Sequence, residues 1–378
     1  MKLSTAALAA AAAGAIGLGA LTLPASAGSA PALPPVSADD LVASVLTAKA
    51  PAFGGTVEVD NGLGLPALPG MSGTPAAALT QPVTTFRAWS DGQGRSRLAL
   101  PSSSGEQVLV EDGTTLWRYD SASRTATATA LGNHPPRAPE HAPVADPADA
   151  AKALVGAVRQ SSTVAVDGTG TVAGRPVYEL VLTPKPTERT LLREVRVAID
   201  SAARVPLQLT VLANGSTDPA LRIGFTKLDV GAQDPALFRF TPPEGVTVKH
   251  PDPGKARPGH APTQIPPGHA PAQIPPGQRG TAGPMIRTLG EGWDTVVLGH
   301  LPAAGATAPS ARPMAPHGPS RGQTDPLALV KRIGHPASGP WGNGWVVQTA
   351  VATVLVTSDG RVAAGAVPLQ VLEAALTR

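Results

Sequence analysis

Apolar and polar positions alternate most regularly between residues 194 and 211. Val195, Val197 and Ile199 stand against Glu194, Arg196 and Ala198, and Val205, Leu207, Leu209 and Val211 against Gln208 and Thr210. A period of two marks strands with one buried and one wet face, which predicts an antiparallel sheet. Weaker strand patterns precede these: Thr56 to Val59, Val83 to Trp89, Ser96 to Leu100, Glu106 to Val110, Thr115 to Tyr119, Arg124 to Thr129, Gly170 to Val172 and Val177 to Leu182. Leu221 to Leu228 follows them, and Gly, Ser, Asn, Asp and Pro punctuate the intervals. Asp112-Gly113 and Asn214-Gly215 read as hairpin turns.

Helical spacing appears at few places. Ser37 ahead of Asp39 and Asp40 resembles a capping box, and Leu41, Val42, Val45, Leu46 and Lys49 continue it as a short amphipathic helix that ends before Pro51. Asp146-Pro147 starts a second helix with Ala151, Leu154, Val155 and Val158 on one face. From Pro242 to Pro284 regular order is expected to fail, because a tandem nonapeptide, Gly259 to Pro267 and Gly268 to Pro276, is extended and linker-like. A small C-terminal α+β domain is predicted beyond it. It comprises Thr295 to Leu298, a helical turn at Leu327 to Ile333, a hairpin of Val346 to Val356 with Val362 to Val367 across Ser358-Asp359-Gly360, and a last helix carrying Leu369, Leu372, Ala375 and Leu376. The expected division is therefore an antiparallel-sheet domain over 37–248, a linker over 249–286 and a C-terminal domain over 287–378 that contains a disordered tract at 303–323.

Composition sharpens this picture. Lys2, an apolar run from Ala6 to Leu23 and the box Ala25-Ser26-Ala27 form a secretory signal peptide over 1–27, cleaved after Ala27. No later stretch is apolar for long enough to span a bilayer, so the mature protein is expected to be extracytoplasmic, and soluble or peripheral at the outer face of the cytoplasmic membrane. The absence of cysteine excludes disulfides, thiol chemistry and a lipobox anchor. With 42 Pro and 41 Gly, much of the chain cannot be packed regular structure, and the Ala, Gly and Pro richness is of the kind a GC-rich, actinobacterial genome encodes. A net charge of +3 does not call for nucleic acid.

Enzyme signatures are sparse. Gly318-Pro319-Ser320-Arg321-Gly322 has the letters of a nucleophile elbow but lies in a Pro/Gly tract, whereas that motif needs a strand before it and a helix after it. The eight His residues fall mostly in predicted loops, at spacings that suit no metal site, and the carboxylates read as helix starts, turns or polar strand faces. No enzyme activity, cofactor or metal is expected.

Leu116-Trp117-Arg118-Tyr119-Asp120, a Pro-flanked second helix, and Gly174-Arg175-Pro176-Val177-Tyr178-Glu179-Leu180-Val181-Leu182-Thr183-Pro184 together resemble the LolA/LolB/RseB superfamily. Val195 to Asp200, Val205 to Leu209 and Phe238-Arg239-Phe240-Thr241-Pro242-Pro243-Glu244-Gly245 extend the resemblance over about half the chain. It implies an α+β fold with an antiparallel, unclosed β half-barrel and capping helices, whose apolar concavity holds lipid or lipoprotein acyl chains as a carrier or chaperone. The C-terminal part, with Gly290-Glu291-Gly292-Trp293 and Asp359-Gly360-Arg361, resembles the second domain of RseB-like regulators. That likeness implies an alternative, a sensor bound to a membrane-anchored anti-sigma factor; an exported hydrolase without a recognisable motif is the remaining class. Strand alternation nominates Leu98, Leu100, Tyr178, Leu180, Leu182, Val195, Val197, Leu207 and Leu209 as ligand-lining residues, and Phe86, Trp89 and Trp117 join them from strands that alternate poorly.

Overall fold

A computed structural model describes residues 30–64, 81–102, 105–131, 155–250, 286–301 and 326–377. The predicted signal peptide over 1–27, the predicted connection over 133–147, residues 251–285 of the predicted linker and the predicted tract over 303–323 lie outside the described residues.

The first sheet has twelve strands. Six form one meander: β1 (Phe53–Asn61), β2 (Val83–Ser90), β3 (Ser96–Ser102), β4 (Gly105–Glu111), β5 (Thr115–Asp120) and β6 (Thr125–Ala130). Five form another: β7 (Ser162–Val172), β8 (Arg175–Pro184), β9 (Leu192–Asp200), β10 (Pro206–Ala213) and β11 (Pro219–Val230). The meanders join where β1 pairs with β11, and β12 (Thr247–Lys249) adds a parallel strand to β6, giving the order β12-β6-β5-β4-β3-β2-β1-β11-β10-β9-β8-β7. The edge strands β7 and β12 do not pair with each other, so the sheet is an unclosed half-barrel. Order thus persists past Pro242, contrary to the sequence expectation. Phe238 is buried, the Arg124 guanidinium donates to the Glu244 carbonyl, and the Thr247 amide donates to the Arg124 carbonyl, so the prolines here sit in a strap held by its neighbours.

Helix α1 (Ala38–Thr47) starts on Ser37, whose hydroxyl accepts the Asp40 amide at 3.1 Å. Its Leu41 is fully buried on Tyr178, Leu180 and Ile199, with Val36, Val42 and Val45 packed around it. Residues 155–161 are helical and form the described part of α2; Ala151 and Leu154 of the predicted apolar face lie outside the described residues.

The second sheet contains β13 (Arg287–Leu289), β14 (Val296–His300), β15 (His335–Gly339), β16 (Gly342–Gln348), β17 (Thr353–Thr357) and β18 (Arg361–Gly365), in the order β13-β14-β18-β17-β16-β15. The arm expected to run unbroken from Val346 to Val356 is two strands. The Thr349 hydroxyl accepts the Val351 and Ala352 amides and closes a turn that a propensity for extended Val and Thr did not reveal. Helix α3 (Pro326–Ile333) contacts β16, and α4 (Leu369–Leu376) buries Leu372 against Val296, Leu355 and Ala363.

The two sheets touch through the strand ends at one end of the second meander. Thr190 Oγ1 and the Leu191 amide both donate to the Ala366 carbonyl, at 2.7 and 2.8 Å. Trp293 donates its backbone amide to Glu188 and its indole N–H to the Ser162 hydroxyl. The β16–β17 turn docks nearby, with the Ala350 amide on the Leu63 carbonyl and Val351 packed, like Leu221, against the cluster of Leu63, Ala213 and Ala220.

Candidate functional site

Register decides which side chains can meet, because residues opposed on neighbouring antiparallel strands share a face. One continuous row runs Leu180, Val197, Leu209, Ile223, Val59 across β8, β9, β10, β11 and β1. The adjacent rows on that face carry Leu182 and Val195, Tyr178 and Ile199, then Val57 opposite Phe86 and Ala88 opposite Leu98. Leu100 lies on the same face of β3. Of the nominated residues, Phe86, Leu98, Leu100, Tyr178, Leu180, Leu182, Val195, Val197 and Leu209 therefore share one face.

Trp89 and Trp117 stand on the other. Trp89 opposes Arg97, which opposes Val110, which opposes Trp117. Trp117 packs with Phe240 at 5.4 Å between ring centroids, beneath the strap over 235–248. Trp89 lines a separate hollow of ≈ 290 Å³ with Arg87, Arg97, Glu106 and Asp234. Poor alternation in their strands hid this, since both faces of β2 and β5 carry large side chains. Leu207 sits where the β9–β10 register slips by one residue, and it packs with Val177 and Ala198.

Burial divides the shared face further. Tyr178 and Leu180 are 4% and 8% exposed because α1 covers them, and the Tyr178 hydroxyl donates to the Pro34 carbonyl at 2.9 Å. They are packed core. Beyond the helix the face opens into a hollow of ≈ 360 Å³ lined by Val57, Val197, Leu207, Leu209, Ile223 and Phe225. A second hollow of ≈ 250 Å³ shares Pro206, Leu207 and Phe225 with it and is walled by Phe53, Val205, Leu228 and Val230, with Arg175 and Asp200 as its charged groups. Val197, Leu207 and Leu209 were thus nominated from alternation and line these hollows. Val57, Ile223 and Phe225 were not: Ile223 and Phe225 reach the hollow through the direct pairing of β11 with β10, and Val57 only through the pairing of β1 with β11. The alternation of Ile223 and Phe225 was a usable signal within the Leu221–Leu228 pattern.

Asp200 is 1% exposed and both of its carboxylate oxygens are hydrogen-bonded. It accepts from Arg175 Nε, from Arg175 Nη2 at 3.1 Å, and from the Ala202 and Ala203 amides at 2.9 and 2.7 Å. Burial opposes its ionisation, but the Arg175 hydrogen bond and the two amides outweigh that and hold the carboxyl below the ordinary carboxylate range. Among the described residues no group of three or more His, Asp or Glu could hold a metal ion, and no helix is long and apolar enough to cross a membrane. The site offers apolar surface and one neutralised ion pair.

No protein-family model matches the chain, and no curated protein sequence does. Among solved structures, the chain is similar to one in the MucA/MucB complex from Pseudomonas aeruginosa, with 17% identity over 90% of this chain and 96% of that one, at a TM-score of 0.40. It is also similar to LprF from Mycobacterium bovis, with 11% identity over 52% of this chain and 96% of that one, at a TM-score of 0.27. A LolA superfamily protein from Nitrosomonas europaea is similar at 12% identity, covering 55% of this chain and 99% of that one, with a TM-score of 0.23.

Proposed function

We propose that this chain is an exported binding protein that holds the acyl chains of lipids or lipoproteins in the hollows of its half-barrel and releases them unchanged, as a carrier or chaperone. The observation that carries this reading is the apolar hollow of ≈ 360 Å³ on the sheet face next to α1, walled by side chains of β1, β9, β10 and β11. Affinity in such a site comes from removing apolar surface from water, at about 25 cal/mol per Å², and needs no charged constellation.

The test uses two leucines on the same face. Leu209 lines the hollow, whereas Leu180 is packed under α1. Leu209→Asn is expected to weaken binding of the neutral apolar fluorophore N-phenyl-1-naphthylamine with little change in thermal midpoint. Leu180→Asn buries an amide without partners and is expected to cost about 1–3 kcal/mol of stability. A parent protein that never binds the fluorophore would sink the reading.

A further inference from the structure

The hollow beside Phe225 ends on a charged pair whose hydrogen-bonding capacity is lopsided. Asp200 accepts two guanidinium contacts and two backbone amides, three of the four on Oδ1 and one on Oδ2, and its side chain is 1% exposed, so it turns no accessible acceptor to the hollow. Arg175 has spent two of its five N–H donors on that carboxylate, and its side chain is 29% exposed. The pair therefore presents unused donors and no exposed acceptor. It also carries no net charge, and the carboxyl held below its ordinary range stays ionised at neutral pH.

Resting on the acyl-chain reading above, we propose that this end of the site selects a single chain capped by an uncharged hydrogen-bond acceptor, such as an acyl ester, whose carbonyl oxygen accepts from Arg175. Size favours one slender chain, because ≈ 250 Å³ lies just below the about 300–1,000 Å³ that ligand sites usually span. A free carboxylate accepts hydrogen bonds too, but Asp200 already neutralises Arg175, so the anion would be desolvated against Phe53, Leu228 and Val230 without a compensating charge. A quaternary ammonium has no acceptor to offer and meets a carboxylate that is buried and already paired with Arg175. A bare alkane leaves the Arg175 donors without a partner.

Displacement of N-phenyl-1-naphthylamine from the full-length protein by four twelve-carbon chains tests this: methyl dodecanoate, dodecanoate, dodecane and dodecyltrimethylammonium. Methyl dodecanoate is expected to compete at least about tenfold more tightly than dodecanoate at neutral pH, given the penalty for burying an unpaired charge. Asp200→Asn keeps an oxygen for the Ala202 and Ala203 amides and leaves Arg175 uncompensated, so it is expected to shift the preference towards dodecanoate by a similar factor. Should Asp200→Asn fail to fold, the parent's ranking of the four chains still decides. Equal or tighter competition by dodecanoate, or competition by dodecane equal to that of the ester, overturns the proposal while leaving acyl binding intact. If the fluorophore binds and no chain displaces it, the proposal also falls. Failure of the fluorophore itself to bind is the separate result that removes the acyl-chain reading.

Discussion

Gly54 and Gly55 decide what each face of the first sheet carries at its central strand. A Cβ on Gly55 would lie 2.8 Å from Phe225 Cδ1, and one on Gly54 would lie 2.8 Å from Trp89 Cδ1. Consecutive glycines on β1 thus let one aromatic ring lie across each face, with Phe225 on the side of the hollows. The Arg175–Asp200 pair acts at the same scale. A carboxyl whose folded pKa is depressed adds stability above its unfolded value, near pH 4, and loses it as pH falls through the folded value. Acid is therefore expected to weaken the first sheet below about pH 4. Arg175→Met strands a buried carboxylate and is expected to cost about 3–5 kcal/mol in urea denaturation at neutral pH. That cost is expected to shrink in acid, where the carboxylate of the variant takes up a proton; a pH-independent cost would show that packing by the Arg175 stem, and not charge, is what was lost.

Among the elements, α1 separates core from cavity wall. Propensity supports so short a helix poorly. What holds it is the cap at Ser37 and the burial of Leu41 on β8 and β9. Leu41→Ala is expected to cost about 2–5 kcal/mol and Ser37→Ala about 1 kcal/mol, both read from thermal or urea unfolding. Near-equal costs would mean that α1 is held by its own start and not by the sheet. The cap and the apolar spacing of this helix were legible in the sequence, because both depend on residues a few positions apart. Its effect on Tyr178 and Leu180 was not, because those residues alternate just as Val197 and Leu209 do. Alternation assigns a side chain to a face and is silent about what else packs on that face. The break at Thr349 and the parallel strand β12 were hidden for a related reason. Each is stabilised by a specific hydrogen bond and not by a hydrophobic period.

For the molecule as a whole, the contacts between the sheets matter as much as the chain that joins them. The stretch between Lys249 and Arg287 is Pro-rich and has few apolar residues to bury, so limited proteolysis is expected to cut there first. The Ala366, Trp293 and Val351 contacts link the sheets independently of that stretch. The two fragments are therefore expected to co-elute in gel filtration after cleavage, and Val351→Asp, which places a charge among Leu63, Ala213 and Ala220, is expected to promote their separation. Separation of the parent fragments immediately on cleavage would show that the joining segment, and not the interface, holds the sheets together.

Local rules carried the reading of the strands, the helix at Ser37 and the turns at Asp112-Gly113 and Asn214-Gly215, since each depends on neighbours along the chain. The same rules indicated an antiparallel sheet and placed Val197 and Leu209 on its apolar face. Only the tertiary structure decided that β1 pairs with β11, because that contact joins residues some 170 positions apart and leaves no periodic trace. That pairing sets Val57 beside Phe225 on the wall that Leu209 and Ile223 already form, and the bulged corner of β10 sets Leu207 and Pro206 between the two hollows. The ion pair at the end of the second hollow arises the same way, from the register that opposes Val177 to Asp200 and so brings Arg175 within reach of its carboxylate.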